Sequence, residues 1–154
     1  MNRSDVKSFL LRFYETAKSA GIAFDLSPLF ILAVSALETG FGKYAPGNNY
    51  FGIKANRGWK GNRISAFTRE FVPNNGGEYL RVRGSFRAYP GFEESCRDFC
   101  RLIRRRYPQC VGVMDESVCT LIQSNPDFRY STSPEYVKRL TDVYRRIREL
   151  IVNC

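Results

Sequence analysis

A chain of 154 residues with 44% hydrophobic and 14% aromatic side chains can bury one sizeable core, which excludes a disordered or fibrous class. Its formal charge of +9, from 24 Lys+Arg against 15 Asp+Glu, points to a polyanionic partner: nucleic acid, an anionic membrane surface or an acidic cell-wall polymer. With no histidine, the commonest general base and zinc ligand are missing, so proton chemistry falls to carboxylates or tyrosines.

The opening stretch MNRSDVKSFLLRFYETAKSAG is amphipathic. Val6, Phe9, Leu10, Phe13 and Ala17 mark one helical stripe, which Gly21 can terminate. The stretch lacks the apolar core and small-residue cleavage site of a secretory signal, and no run is long enough to span a membrane. Ser27 and Pro28 read as the N-cap and first residue of a second helix, PLFILAVSALE, apolar nearly all round and therefore expected in the core. A loop from Thr39 to Asn62 follows. Two strand-like runs, Arg63–Val72 and Glu78–Tyr89, are joined by PNNGG, a hairpin-turn composition.

Helices are then expected near Gly91–Arg106, Glu116–Ser124 and Ser133–Val152, the last opened by Ser133-Pro134 and striped by Tyr136, Leu140, Val143, Ile147 and Leu150. No repeat, low-complexity tract or linker divides the chain, so residues 1–154 are read as one domain with a β lobe over about 63–89. The five cysteines, Cys96, Cys100, Cys110, Cys119 and Cys154, fit neither a CxxC pair nor a zinc ribbon. Cys96 and Cys100 share a helical face with Phe92, Phe99 and Ile103 and read as buried small hydrophobes. Neither a metal nor another cofactor is expected.

The segment ALETGFGKYAPGNNYFGIK, Ala36 to Lys54, sets Glu38 between the apolar helix and a loop rich in glycine, asparagine and aromatics. Carbonyls at a helix C-terminus carry partial negative charge, and the neighbouring core limits hydration; both disfavour the carboxylate and raise its pKa. A carboxylic acid kept protonated near neutrality is what cleavage of a glycosidic bond needs. By position alone, a solvated glutamate at a helix end is the commoner reading.

With GWKG, FTREF, SFRAYPGFEESCRDF and YSTSPEYVKRL following in order, this segment resembles the bacterial peptidoglycan N-acetylglucosaminidases of glycoside hydrolase family 73, which include the flagellar muramidase-like domain. The resemblance covers most of the chain and implies an α+β, lysozyme-like fold: a helical body, a small β-hairpin lobe and a glycan-binding cleft between them. It implies Glu38 as catalytic general acid and Glu70 as the second acid/base. Glu78, beside the turn, is the reserve. Tyr130 matches a cleft tyrosine, although Arg129 stands before it where the family often has glycine. Asp98 is expected to hold structure by hydrogen bonding.

Asn48, Asn49, Tyr50, Phe51, Trp59 and Tyr89 are candidate substrate contacts, because sugars bind aromatic faces through C–H surfaces and amides through hydroxyl and acetamido groups. Some of them read equally well as core plugs and turn formers. Arg81, Arg83 and Arg87 could meet peptide carboxylates or simply form a solvated face. The expected activity is hydrolysis of the β-1,4 bond after N-acetylglucosamine in peptidoglycan. The alternatives are a lytic transglycosylase using Glu38 alone and a non-catalytic basic wall-binding module. A monomer is expected, with no nucleic-acid partner and no membrane insertion. A wall substrate without a recognisable signal implies action in the periplasm or outside the cell after export by other means, with a phage endolysin or delivered effector preferred. A segment of a longer protein would also explain it. The hairpin arm, with its flexible turn, is expected to close over the glycan.

Overall fold

Helix α1 (Arg3–Phe24) begins where Asn2 Oδ1 accepts the Asp5 amide at 2.9 Å, and Asp5 in the first turn suits the positive end of the helix. The structure, a computed structural model, describes residues 2–152; Cys154 lies outside them. The stripe expected from Val6 to Ala17 is buried and continues through Ala20 and Gly21. Gly21 therefore does not end the helix. The chain turns at Asp25, which adopts the left-handed region at φ 56°. Gly21 answers a different need: a Cβ there would meet the Leu26 carbonyl at 2.6 Å, so its absence lets the following segment fold back against α1.

Helix α2 (Pro28–Thr39) is capped by Ser27, whose Oγ accepts the Phe30 amide at 3.2 Å, and Pro28 occupies the first turn. It is buried without a break from Phe30 to Ala36 and packs between α1 and the C-terminal helix. Gly40 at φ 59° ends it in the left-handed conformation. As the apolar composition predicts, this helix is the axis of the core.

Strands β1 (Arg63–Val72) and β2 (Glu78–Arg87) form a two-stranded antiparallel sheet in which Phe67 faces Arg83 and Glu70 faces Leu80. Tyr89 falls beyond the strand expected to include it. Gly76 and Gly77 supply the positive φ of the turn, 89° and 86°. An isolated two-stranded sheet is marginal in water, so this arm depends on attachment to the body. Backbone bonds at its base, Arg87 N to Ile53 O (3.1 Å) and Ala55 N to Ser85 O (2.9 Å), provide part of that attachment.

Helix α3 (Phe92–Arg106) buries Ser95, Cys96, Phe99, Cys100 and Ile103, the face expected from the sequence. The helix predicted over 116–124 shrinks to α4 (Val118–Leu121), where turns take over on both sides. Helix α5 (Tyr136–Val152) starts three residues after the predicted Ser133, because the Ser133 hydroxyl turns back to accept the Glu135 amide at 3.3 Å. The result is an α+β arrangement, a helical body with one hairpin arm. No helix among the described residues is long and apolar enough to cross a membrane.

Candidate active site

The loop after α2 is folded back on the helix that precedes it. Thr39 Oγ1 donates to the Ser35 carbonyl and accepts the Gly42 amide, both at 2.7 Å. Further along, Asn49 ties the loop to itself and to β2: its amide donates to the carbonyls of Ile53 (2.8 Å) and Arg87 (2.9 Å). Its Oδ1 accepts the amides of Phe51 (3.3 Å) and Ile53 (3.1 Å). These bonds deliver Gly52 onto Glu38. A Cβ at Gly52 would meet Glu38 Oε2 at 2.7 Å, and its φ of 69° excludes an ordinary side chain as well. Tyr130 adds a second tie by donating its hydroxyl to the Phe51 carbonyl.

Glu38 therefore sits under a tightly folded loop while its carboxyl opens to a cleft of about 520 Å³. Solvent reaches the side chain from the cleft, yet protein atoms displace much of the water that would stabilise its charge. This desolvation pushes the carboxyl up to about 7. Tyr136 opposes the shift by donating its hydroxyl to Glu38 Oε1 at 3.4 Å, and the negative charge of Glu70 adds to it. Burial raises both Tyr130 and Tyr136 well above the ordinary phenol range, so both stay protonated and act as donors.

Glu70 reaches the same cleft from β1. Lys54 donates to its Oε1, and the Thr132 hydroxyl donates to its Oε2 at 3.1 Å. Thr132 also accepts the Phe71 amide at 3.1 Å, and the Tyr79 and Ser133 hydroxyls meet at 2.8 Å. The arm is thus fastened to the 131–133 loop by hydroxyls. A second cavity of about 190 Å³ shares Glu38, Arg69 and Ser131 with the first. Both openings lead to Glu38. Glu78 is exposed, pairs across the sheet with Val72 and lines neither cavity.

The structure brings Glu38, Glu70, Tyr130 and Asn49 to one cleft, but it places the other expected contacts elsewhere. Phe51 is fully buried and stacks on Phe99 with ring centroids 4.4 Å apart. Tyr50 is buried against Phe13 and Phe92. Asn48 donates to the carbonyls of Tyr89 and Pro90. Trp59 donates to the Asn62 carbonyl and packs beside Tyr89, outside the cleft lining. Tyr89 donates to Asp98, which also accepts Arg87 at 2.9 Å. Asp98 has the structural role expected of it, and Arg87 is buried rather than part of a solvated face. These side chains shape the loop that carries the cleft, a role the same composition would require.

The sequence reading missed Tyr136, Thr132, Lys54 and Gly52 as neighbours of the two carboxylates. Tyr136 belongs to the core stripe of α5 and is buried there, but its hydroxyl end meets Glu38. The available signal was YSTSPEY, where hydroxyl residues crowd the entry to α5. Among the described residues no group of three or more His, Cys, Asp or Glu converges as a metal site requires.

A family model described as mannosyl-glycoprotein endo-beta-N-acetylglucosaminidase matches residues 14–149. The peptidoglycan hydrolase FlgJ of Escherichia coli strain K12 is 29% identical over 153 residues, 95% of this chain and 48% of that protein. FlgJ of Vibrio parahaemolyticus is 28% identical over 94% of this chain and 48% of its own. The chain thus spans about half the length of the curated relatives it matches. Among solved structures, a peptidoglycan hydrolase mutant from Sphingomonas sp. A1 superposes with a TM-score of 0.80 at 27% identity, covering 96% of this chain and 99% of the other. The C-terminally truncated glycoside hydrolase domain of Salmonella typhimurium FlgJ gives a TM-score of 0.73 at 30% identity, over 94% and 98%. The lysozyme-like fold expected from the sequence is the fold of these neighbours.

Proposed function

The chain belongs to the glucosaminidase family, and from that premise we propose that it is a peptidoglycan hydrolase cleaving the β-1,4 bond after N-acetylglucosamine, with Glu38 as general acid. One observation carries the reading: a carboxyl pushed up to about 7, opening into a cleft that a second carboxylate enters from the opposite lobe. At neutral pH a large share of Glu38 holds its proton, ready for the leaving glycosidic oxygen. Cleavage transfers that proton as the C–O bond breaks and leaves Glu38 ionised. Water then supplies the hydroxyl at the sugar carbon and the proton that restores the acid.

Glu70 accepts bonds at both oxygens, from Lys54 and Thr132, and its place in the cleft supports a role as the base that activates water. The two cavities meeting at Glu38 would join into one glycan path if the arm lifted from the 131–133 loop, and the Thr132 and Ser133 hydroxyls are the contacts that would part. The protein then acts at the bacterial wall, with glycan strands as its partner.

The test is digestion of purified wall sacculi followed by mass spectrometry of the released muropeptides. Fragments with reducing N-acetylglucosamine ends are expected. Fragments ending in 1,6-anhydro sugar would replace hydrolysis by intramolecular transglycosylation, in which Glu38 alone serves. No release at all would leave a wall-binding module.

A further inference from the structure

We propose that Arg105, Arg106 and Arg129 form an anion subsite of the cleft that takes the free carboxylates of the peptide stems, making the enzyme selective for stem-bearing over stripped glycan. The proposal rests on the peptidoglycan reading above and names the part of the substrate that the cations recognise. All three arginines line the same cavity as Glu38 and Glu70, and all three are exposed. They come from separate parts of the chain, the C-terminal turn of α3 and the loop before Tyr130.

Arginines in the last turn of a helix are favourable in themselves, since they face its partial negative charge. That accounts for a cation at this end but not for its direction, and the neighbouring Arg104 shows the difference. Arg104 is occupied, donating to the Phe24 carbonyl at 2.7 Å on the body of the protein. Arg105 and Arg129 make no hydrogen bond or ion pair among the described residues, and Arg106 only lies over the Phe128 ring at 5.6 Å. Of the three other cations lining the cleft, Lys54 pairs with Glu70 and Arg87 with Asp98, while Arg69 lies over the Tyr79 ring at 5.2 Å on the arm. The arginine cluster therefore keeps its guanidinium donors open to the cleft.

A neutral sugar backbone gives such donors nothing ionic to bind. In peptidoglycan the carboxylates are carried on the peptide stems, one on every second sugar, so any cleft spanning two or more sugars has a stem at its rim. Cleavage after N-acetylglucosamine places a stem-bearing sugar directly on the leaving side. A planar guanidinium fork matches a carboxylate in bidentate fashion, and two or three forks suit a stem with more than one acid. Tyr107, adjacent to Arg106, packs on Tyr130 with centroids 5.9 Å apart, and Tyr130 packs on Tyr136, the donor to Glu38. This row of rings links the cluster to the acid.

The experiment compares initial rates on intact sacculi and on glycan whose stems have been removed by an amidase and whose newly exposed lactyl carboxylates have been converted to amides, for the wild-type chain and for Arg105→Gln combined with Arg129→Gln. The wild type should favour stem-bearing glycan, and the double variant should lower the ratio of the two kcat/KM values by about tenfold, mainly through KM. Arg105→Lys with Arg129→Lys should restore part of the ratio, because charge is kept while the fork is lost. Thermal melts check that the exposed substitutions leave the fold intact. A wild type that digests both glycans equally, or a double variant whose two rates fall together, overturns the subsite while leaving the hydrolase standing. A wild type that releases nothing from either glycan overturns the hydrolase reading, and the subsite falls with it.

Discussion

Glu38 is carried on a helix buried without a break from Phe30 to Ala36, whereas Glu70 stands on a two-stranded arm with exposed faces, held to the body at its base and by the 131–133 loop. The buried helix fixes the backbone of the first, while Gly52 and the surrounding protein atoms crowd its carboxyl and displace water, so its chemistry comes from a firm mount and poor hydration. The second is positioned by two side-chain donors, Lys54 and Thr132, the latter itself accepting the Phe71 amide. Under the proposed function, such a design would keep the proton store rigid and let the other half of the site open for a polymer. If that division holds, substitutions on the helix side should damage chemistry without changing stability, and those on the arm should change both substrate entry and turnover.

The largest effect is expected from Glu38→Gln, which keeps shape and removes the proton. Wall lysis should fall by about four powers of ten, the upper end for losing a general acid. The folded chain should not suffer. Its carboxyl is raised from 4.5 to about 7, so the native state holds more protons than the unfolded chain between those values, and stability conferred at low pH is lost as pH rises through about 7. The glutamine variant lacks that loss. Its melting temperature should equal or exceed the wild type's above pH 7, and a variant that melts far lower there would mean that Glu38 supports the fold.

Next in size is Glu70→Gln, expected to cost two to four powers of ten in hydrolysis. Near-normal turnover in this variant, with Glu38→Gln still inactive, would transfer the attack to the substrate's own acetamido group and reduce Glu70 to part of the fastening. Gly52→Ala should come third. The added methyl meets Glu38 Oε2 at 2.7 Å and the backbone at φ 69° resists it, so the acid must shift. A displacement of that kind costs about a hundredfold in turnover. Wild-type rates in Gly52→Ala would show that the loop yields and that Glu38 is less firmly held than its surroundings imply.

The same contrast explains what could be read from the amino-acid order. The apolar run of α2, the cap at Ser27-Pro28 and the stripe of α3 follow from short-range periodicity, and they placed Glu38 correctly at a helix end. The hairpin was legible from alternation and the PNNGG turn. What failed was long-range. Tyr50 and Phe51 have the composition of sugar contacts, but they are buried against partners at Phe13 and Phe99, more than thirty residues away. Tyr136 and Thr132 look like an ordinary helix entry until the fold brings them about a hundred and about sixty residues back, to Glu38 and Glu70. A single chain carries no mark of such pairings. Gly21 failed differently, because close approach and helix termination both call for glycine, and only the position of Leu26 separates them.

The smallest effect tests the rigid side most finely. Tyr136 donates to Glu38 Oε1 at 3.4 Å, and that bond favours the ionised form, holding the carboxyl below where burial alone would put it. Tyr136→Phe removes the donor and leaves the ring that packs against Tyr130. The acid should then keep its proton to higher pH. In the wild type, kcat/KM should fall as pH rises through about 7, where Glu38 loses the proton it must donate. In the variant this alkaline limb should move upward, so that above neutrality Tyr136→Phe outperforms the wild type by about twofold, the worth of one long hydrogen bond. The direction is what matters, since a merely structural tyrosine would lower the rate at every pH and leave the limb where it was. A limb that stays fixed or moves down would separate Tyr136 from the acid, and the rigid half of the site would then rest on burial and on Gly52 alone.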